Sequence, residues 1–554
     1  MPKRAWLSGA MAAIGASMVV AAALAGTASS KASPSSASVA SATAGGTMNI
    51  NMSATDVDYI DPSLAYGSNS WQILDAVCAK LTGYPDKPGV VGTHLTPDAA
   101  TGFPTVSKDG RTYTFTIRSG WKSNTGQPLT AANFAAAINR DLNPKMQSPS
   151  VPFITGANGI VGAQAVADGK AATASGVKAS GQKLTITLLK PDGSLLAKMA
   201  MNFFCAIPTN TPVNADGLDT FASFGPYYVA SRQVGRQIIL KANPNYKGSR
   251  PHNVSTFVFT VNTNLDQSLL QVKAGQSDYD AGGLPPTAHA DLAKQYGINK
   301  GRYFVSGGLN IDYAALNTSR SAFGSPALRK AAEFAIDRPA MVRQRGYLAG
   351  RRSDQILPPG IGGYQNYKIY PLKGSDYTKA KALAAQGGGC KDVTLYTANS
   401  AVGQGLGQVL KYNLNQIGCN VSVKLFQGFQ IYIAAGTKGE PFDVVLGGWF
   451  ADYADPYDFI DILLNGDNIH ESNNNDLSYL NVPALNKQMA NANSLAGDPR
   501  YGAYAKLDFS IQKNYAPLLV YENRNVREFV ATRIGGYVFS NAHGLANLNT
   551  FFIK

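Results

Sequence analysis

Polar and apolar positions alternate most regularly over 112–118, where Tyr113, Phe115 and Ile117 fall on one face and threonines on the other. The turn pair Asp109-Gly110 precedes this strand and Ser119-Gly120 ends it. A second turn, Asn124-Thr125-Gly126, leads to Thr130, an N-cap for a helix over 131–142 that Pro144 stops. Strand patterns over 48–52, 183–189, 236–241 and 256–261 crowd the first half with few helices between them. In the second half helices and strands alternate more evenly. Helices are predicted over 325–336 and 377–386, then a strand–helix–strand unit at 391–397, 403–417 and 420–426. A further strand follows over 442–447, ending in Gly447-Gly448. The tail returns to strand at 518–521 and 526–530.

A chain of 554 residues with 45% apolar and 15% charged positions is too long for one core and reads as an α/β protein of at least two lobes. Lys3 and Arg4 precede an Ala-rich apolar run, so residues 1–25 read as a signal peptide and 26–46 as a disordered leader. No charged stop-transfer flank follows, and no other segment is apolar enough to span a bilayer, so the product is expected to be exported and not membrane-spanning. The net charge of +14 raises nucleic acid as a partner. Lysines and arginines are scattered, however, and the longest basic run is Arg351-Arg352, which excludes a nucleic-acid surface and leaves a solvated basic surface facing an anionic cell envelope.

The four cysteines, Cys78, Cys205, Cys390 and Cys419, lie in the exported part, so two disulfides are expected from three possible pairings. A right-handed strand–helix–strand unit brings Cys390 beside Cys419, which leaves Cys78 for Cys205. Metal binding is the rival use of these thiols, but no C-x-x-C occurs and no metal site is expected. The five histidines (94, 252, 289, 470, 543) show no ligand spacing, and His470 reads as a solvated loop residue. Enzyme signatures fail. Ser175–Lys178 and Ser180–Lys183 match S-x-x-K but open no apolar helix, and neither K-T-G nor S-D-N accompanies them. There is no G-x-S-x-G elbow, and His470-Glu471 lacks the second histidine of a zincin.

The opening hairpin and helix, with Pro128-Leu129-Thr130-Ala131, resemble the "S-x-DG-x-TYTF-x-LR-x-G … G-x-PLTA-x-D" signature of the solute-binding proteins of peptide and nickel transporters, extracellular family 5. Further blocks follow in that family's order. Gly225-Pro226-Tyr227 resembles "GTGPY", and Asn243–Gly248 resembles "NP-x-YW-x-G" with Lys247 at the usual Trp. Gln271–Asp278 is similar to "L-x-x-GE-x-D". Leu316-Asn317-Thr318, Leu328–Ala331 and Ala335–Arg338 are similar to "FNT … VRQA-x-x-x-AIDR". Gly448–Pro456 resembles the "GW-x-x-D-x-x-DP" of the peptide-binding branch.

That resemblance implies a two-lobed periplasmic-binding-protein-like α/β fold of type II, with an extra subdomain and a hinge. The implied layout is lobe I over 47–90, an inserted subdomain over 91–207, lobe I over 208–308, lobe II over 309–522 and a lobe I return over 523–554, with crossings near Gly308 and Asn523. It implies a monomeric receptor, not an enzyme, without cofactor, that closes on a short peptide and delivers it to the permease of an ATP-binding-cassette importer. The implied ligand residues are Asp452, paired with the peptide's α-ammonium, and Trp449 beside the ligand, with Gly448 and Phe450 flanking. Tyr66, Ser68 and Asn69 follow in the loop after the first strand, where a plain helix cap by Ser68 or Ser70 is the competing reading. Asp455-Pro456 reads as a structural cap and first-turn pair. Leu24-Ala25-Gly26-Thr27 is a lipoprotein processing box with Thr27 in the place of the acylated Cys, so release without a lipid anchor is expected. The alternatives are a secreted hydrolase or transferase with an unrecognised site, or a receptor of the same fold for a nickel chelate, haem or oligosaccharide.

Overall fold

The computed structural model describes residues 45–53, 57–261 and 264–554. The signal peptide and Thr27 lie outside the described residues, as does the leader up to residue 44. Three sheets organise the rest. A five-stranded sheet runs in the order Tyr279–Asp280, Thr47–Met52, Thr256–Val261, Gln237–Ala242, Tyr227–Gln233. Its first strand in sequence is internal, and runs parallel to both of its neighbours. Beside this sheet sits a four-stranded antiparallel sheet, Thr105–Val106, Thr112–Thr116, Lys183–Thr187, Val177–Ser180. The alternation read in the sequence is its packing: Phe115, Leu184 and Ile186 are fully buried on one face, in the same core as Phe134, Ile138 and Leu142 of helix Ala131–Leu142. That helix opens with a capping box in which the Thr130 N–H donates to Asn133 Oδ1 at 2.8 Å.

The third sheet is mixed, in the order Tyr303–Gly307, Leu518–Phe529, Asn310–Leu316, Val444–Phe450, Asp392–Ala398, Asn420–Phe426. Helices Pro326–Ala335, Tyr377–Gln386 and Ala401–Asn415 pack on it through a separate core that includes Leu328, Leu406, Leu410 and Val444. Two lobes with mixed α/β content result. Cys390 and Cys419 precede parallel neighbours and form a disulfide, Cα–Cα 4.7 Å; Cys78 and Cys205 form the other, 5.2 Å.

Two strands differ from their sequence reading. Val444–Phe450 does not stop at Gly447-Gly448, because Asn310–Leu316 continues to pair with it through Gly448, Trp449 and Phe450. Gly448 is required there for another reason: a Cβ would meet Asp312 Oδ1 at 2.5 Å. The tail is one strand of 12 residues, not two. Its polar middle, Glu522-Asn523-Arg524, is paired on one edge by Gly350–Arg352. On the other edge the regular ladder lapses between Gly307↔Asn525 and Asp312↔Glu522, the interval that holds both expected crossing points. There Asn310 substitutes its side chain for backbone, accepting from the Arg524 N–H at 2.6 Å and donating to the Arg524 carbonyl at 2.9 Å. Past its end the same chain touches the five-stranded sheet, at the Tyr279↔Val530 bridge.

The loop before helix Ser68–Val77 is anchored by Asp61, buried and gripped bidentately by Arg140 at 2.6 Å on each oxygen. Arg140→Ala would strand that carboxylate in the core, and a loss of about 3–5 kcal/mol is expected in urea denaturation.

Candidate functional site

Helix Ser68–Val77 is started by neither serine side chain. Asp58 instead accepts from the N–H groups of Tyr66 and Gly67 at 2.8 and 2.9 Å, and from Ser70 Oγ at 2.6 Å. This turn leaves Ser68 exposed, while Asn69 is buried and donates to the Ala281 carbonyl at 3.0 Å. It also turns Tyr66 toward the other lobe. The Tyr66 hydroxyl donates to Asp452 Oδ2 at 2.7 Å, and its ring packs against Trp71 and Phe203. Two residues singled out far apart in sequence therefore meet across the lobes.

Asp452 is held from behind by Asp458, in the first turn of helix Tyr457–Leu464. Asp458 Oδ2 accepts the Asp452 N–H at 2.9 Å and the Trp449 indole N–H at 3.1 Å, while its Oδ1 has no partner. Burial raises the Asp452 carboxyl to about 7, against the lowering effect of the Tyr66 hydrogen bond. Burial first, and then the charge of Asp452, pushes Asp458 well above the carboxylate range. Both carboxyls therefore hold a proton more tightly than an ordinary aspartate. Asp455 serves the scaffold: it accepts the Tyr457 N–H at 2.9 Å and binds Arg500 bidentately at 2.7 Å in a buried ion pair.

Beside this cluster lies a cavity of about 530 Å³. Gly67, Ser68 and Asn69 line it with Ala281–Leu284 from one side, and Phe450 and Phe429 from the other. Of the residues expected to bind ligand, Ser68, Asn69 and Phe450 face this space. Tyr66 and Asp452 close on one another next to it, Trp449 turns its N–H to Asp458, and Gly448 lies under Asp312. The cavity also holds groups the sequence reading missed: Arg345, Arg524 and Arg527, with His289 and His543. Burial lowers both histidines to about 4, so they are neutral at pH 7. Beneath the arginines, Arg345 and Arg524 share the buried Asp312, with Nε–Oδ2 distances of 3.1 and 3.0 Å, and Arg345 reaches Glu522 at 3.3 Å. Burial first, then Asp312, raises Glu522 to about 7. The sequence signal that could have exposed this floor is Glu522–Arg527, a polar run inside a strand pattern.

Compared with known proteins, residues 94–471 match the family described as bacterial extracellular solute-binding proteins, family 5 Middle. The periplasmic oligopeptide-binding protein OppA of Salmonella typhimurium is 25% identical over 81% of this chain and 82% of that protein. The periplasmic murein peptide-binding protein MppA of Escherichia coli is 26% identical over 89% and 91%. Among solved structures, the clavulanic acid biosynthesis oligopeptide binding protein 2 superposes with a TM-score of 0.84 at 21% identity, covering 92% of this chain and 96% of that one. These relatives carry the names of binding proteins. No helix among the described residues is long and apolar enough to cross a membrane.

Buried carboxyls dominate the expected pH response. Burial raises Asp461, Asp476 and Asp508 to about 7 and Asp141 and Glu333 to about 8, alongside Asp452 and Glu522. The folded state keeps protons that the unfolded chain has already released, so this stability is complete below about pH 4 and is lost as pH rises through 7–8. The two histidines act oppositely, but only below about pH 6.5. Melting temperature should therefore fall between about pH 6.5 and 8 and level off above, with each carboxyl contributing up to about 1.4 kcal/mol per pH unit; calorimetry across that range checks it.

Proposed function

This chain belongs to the bacterial extracellular solute-binding proteins, family 5, and on that premise we propose that it is an exported receptor that closes on a short peptide and passes it to the permease of an ATP-binding-cassette importer. The reading rests on the cavity between the lobes, whose volume of about 530 Å³ is within the range typical of sites for small ligands, roughly 300–1,000 Å³. The peptide names of the OppA and MppA relatives support the ligand class. Loop 67–69 and segment 281–284 present main chain on one wall, which suits a ligand recognised along its backbone. In this reading Tyr66 is a removable cover. The ligand's α-ammonium takes the place of the Tyr66 hydroxyl on Asp452, where a desolvated carboxylate makes a strong charge-assisted bond. Asp458, itself bonded by the Trp449 indole, fixes the backbone from which that carboxylate projects.

Native mass spectrometry of freshly purified protein should reveal bound masses that fragment as short peptides. Recovery of a sugar, a haem or a metal chelate instead would reassign the ligand. For a recovered peptide, Asp452→Ala should weaken calorimetric affinity by about 2–5 kcal/mol, and N-acetylation of the peptide should act in the same direction. Solution scattering with that peptide should show a smaller radius of gyration than without it, as two lobes close about a hinge.

A further inference from the structure

We infer that the solvent face of the four-stranded sheet is a docking surface for a linear polyanion, a phosphodiester-linked polyol of the cell envelope, which tethers the receptor outside the cell. The inference goes beyond the peptide reading above and holds for any ligand in the cavity. One face of the sheet carries the core residues Phe115, Leu184 and Ile186. The other carries Thr112, Thr114 and Thr116 from one strand and Lys183, Thr185 and Thr187 from its neighbour, all exposed or half-buried. The register sets Thr112 against Thr187, Thr114 against Thr185 and Thr116 against Lys183. Lys178 and Ser180 extend the face on the next strand, opposite Thr185 and Lys183. Lys178 and Lys183 are thus diagonal neighbours, about 7–8 Å apart at the backbone.

Threonine suits an exposed strand, but the charge of this face does not follow from that. A soluble surface ordinarily interleaves both signs, whereas residues 101–190 hold ten lysines and arginines against three aspartates and no glutamate. Asp141 is buried, and Asp109 and Asp168 are each paired with a cation two residues on, Arg111 at 2.9 Å and Lys170 at 3.0 Å. Lys108, Lys122, Lys145, Lys178, Lys183 and Lys190 are exposed and form no salt bridge among the described residues. The Leu188 N–H donates to the Arg111 carbonyl at 2.8 Å, which sets Lys108 and Lys190 at one end of the sheet, with Lys183 at the other. Unmatched positive charge therefore runs the length of a strand, roughly 15 Å. The occupant follows from what stands between these charges. A lipid surface needs apolar side chains to insert into it, and a nucleic-acid strand needs aromatic rings for its bases. Within the strands this face has neither. It has hydroxyls, and those of Thr114, Thr116, Thr185 and Ser180 make no side-chain hydrogen bond among the described residues. Ammonium groups pair with phosphates as point charges, and hydroxyls bond phosphate oxygens and polyol hydroxyls alike.

The test titrates fluorescent poly(glycerol phosphate) with the full chain and follows anisotropy. Binding should be measurable at low salt and weaken about tenfold or more between about 50 and 200 mM salt. Lys178→Gln combined with Lys183→Gln should weaken it about tenfold at low salt, with an unchanged melting temperature establishing that the variant is folded. Lys300→Gln combined with Lys381→Gln removes equal exposed charge elsewhere and should change binding less than about twofold. Thr114→Glu, which sets a carboxylate in the middle of the face, should abolish binding and serves if the first glutamine pair does not fold. Equal losses in the two glutamine pairs would reduce the attraction to net charge and overturn the inference. Absence of polymer binding at low salt would also overturn it. Tighter binding of single-stranded DNA, or of phosphatidylglycerol vesicles, at the same phosphate concentration would give the face to another partner and overturn it as well.

Discussion

One strand ties the mixed sheet to the five-stranded sheet. Leu518–Phe529 begins inside the mixed sheet, paired with Asn310–Leu316, and finishes alongside Tyr303–Gly307. Just beyond its end, Val530 bridges to the five-stranded sheet. A continuous backbone cannot leave a buried N–H or C=O unpaired without cost, so the place where its regular ladder lapses must be filled by something else. The Asn310 amide fills it, offering one acceptor and one donor to Arg524 as a neighbouring strand would. Gly308 next to it admits no side chain, since a Cβ would lie 2.7 Å from Asn310 Nδ2. A side-chain amide on its own torsions tolerates a change of angle that a regular ladder does not. On the proposed receptor reading, this lapse is where the lobes would turn.

The charges of the cavity floor sit in the same few residues. Asp312 and Glu522 are the first regular pair beyond the lapse, and Arg524 both receives the Asn310 amide and binds Asp312. Arg524 thus links the cavity floor directly to the strands beside the lapse. On the opposite flank Tyr66 and Asp452 form a polar contact from one lobe to the other, and each also belongs to its own lobe's scaffold, through Asp58 and Asp458. The cavity floor and the lapse in the ladder therefore share Arg524, while Tyr66 and Asp452 stand as a separate polar contact.

Much of the scaffold was legible in the sequence because it follows local rules. Thr130 and Pro144 bound a helix because a cap and a proline act within one turn. Alternation at Tyr113 and Phe115 gave a strand with one buried face, and the cysteine pairs followed from export and from neighbouring strand starts. The long strand was not legible, because Glu522, Asn523 and Arg524 imitate a loop and are satisfied only by partners some 170 to 210 residues away. Gly447-Gly448 imitated a stop for a similar reason: the glycine makes room for Asp312, a distant residue. At the site, the meeting of Tyr66 with Asp452 and the gathering of Arg345 with Arg524 and Arg527 are products of the fold, without a spacing to read. Asp458 resembled any acid in the first turn of a helix.

The position of Thr47–Met52 sets an order of events during synthesis. It is the earliest strand among the described residues, yet it is internal to its sheet, and its parallel partners are Thr256–Val261 and Tyr279–Asp280. Parallel neighbours require long crossovers, so no local hairpin can shelter this segment while the chain is still growing. Its apolar residues Met48, Ile50 and Met52 are left without a core until more than 200 further residues have emerged. This sheet is therefore obliged to assemble late, with the strand's apolar residues waiting on distant partners while the chain grows.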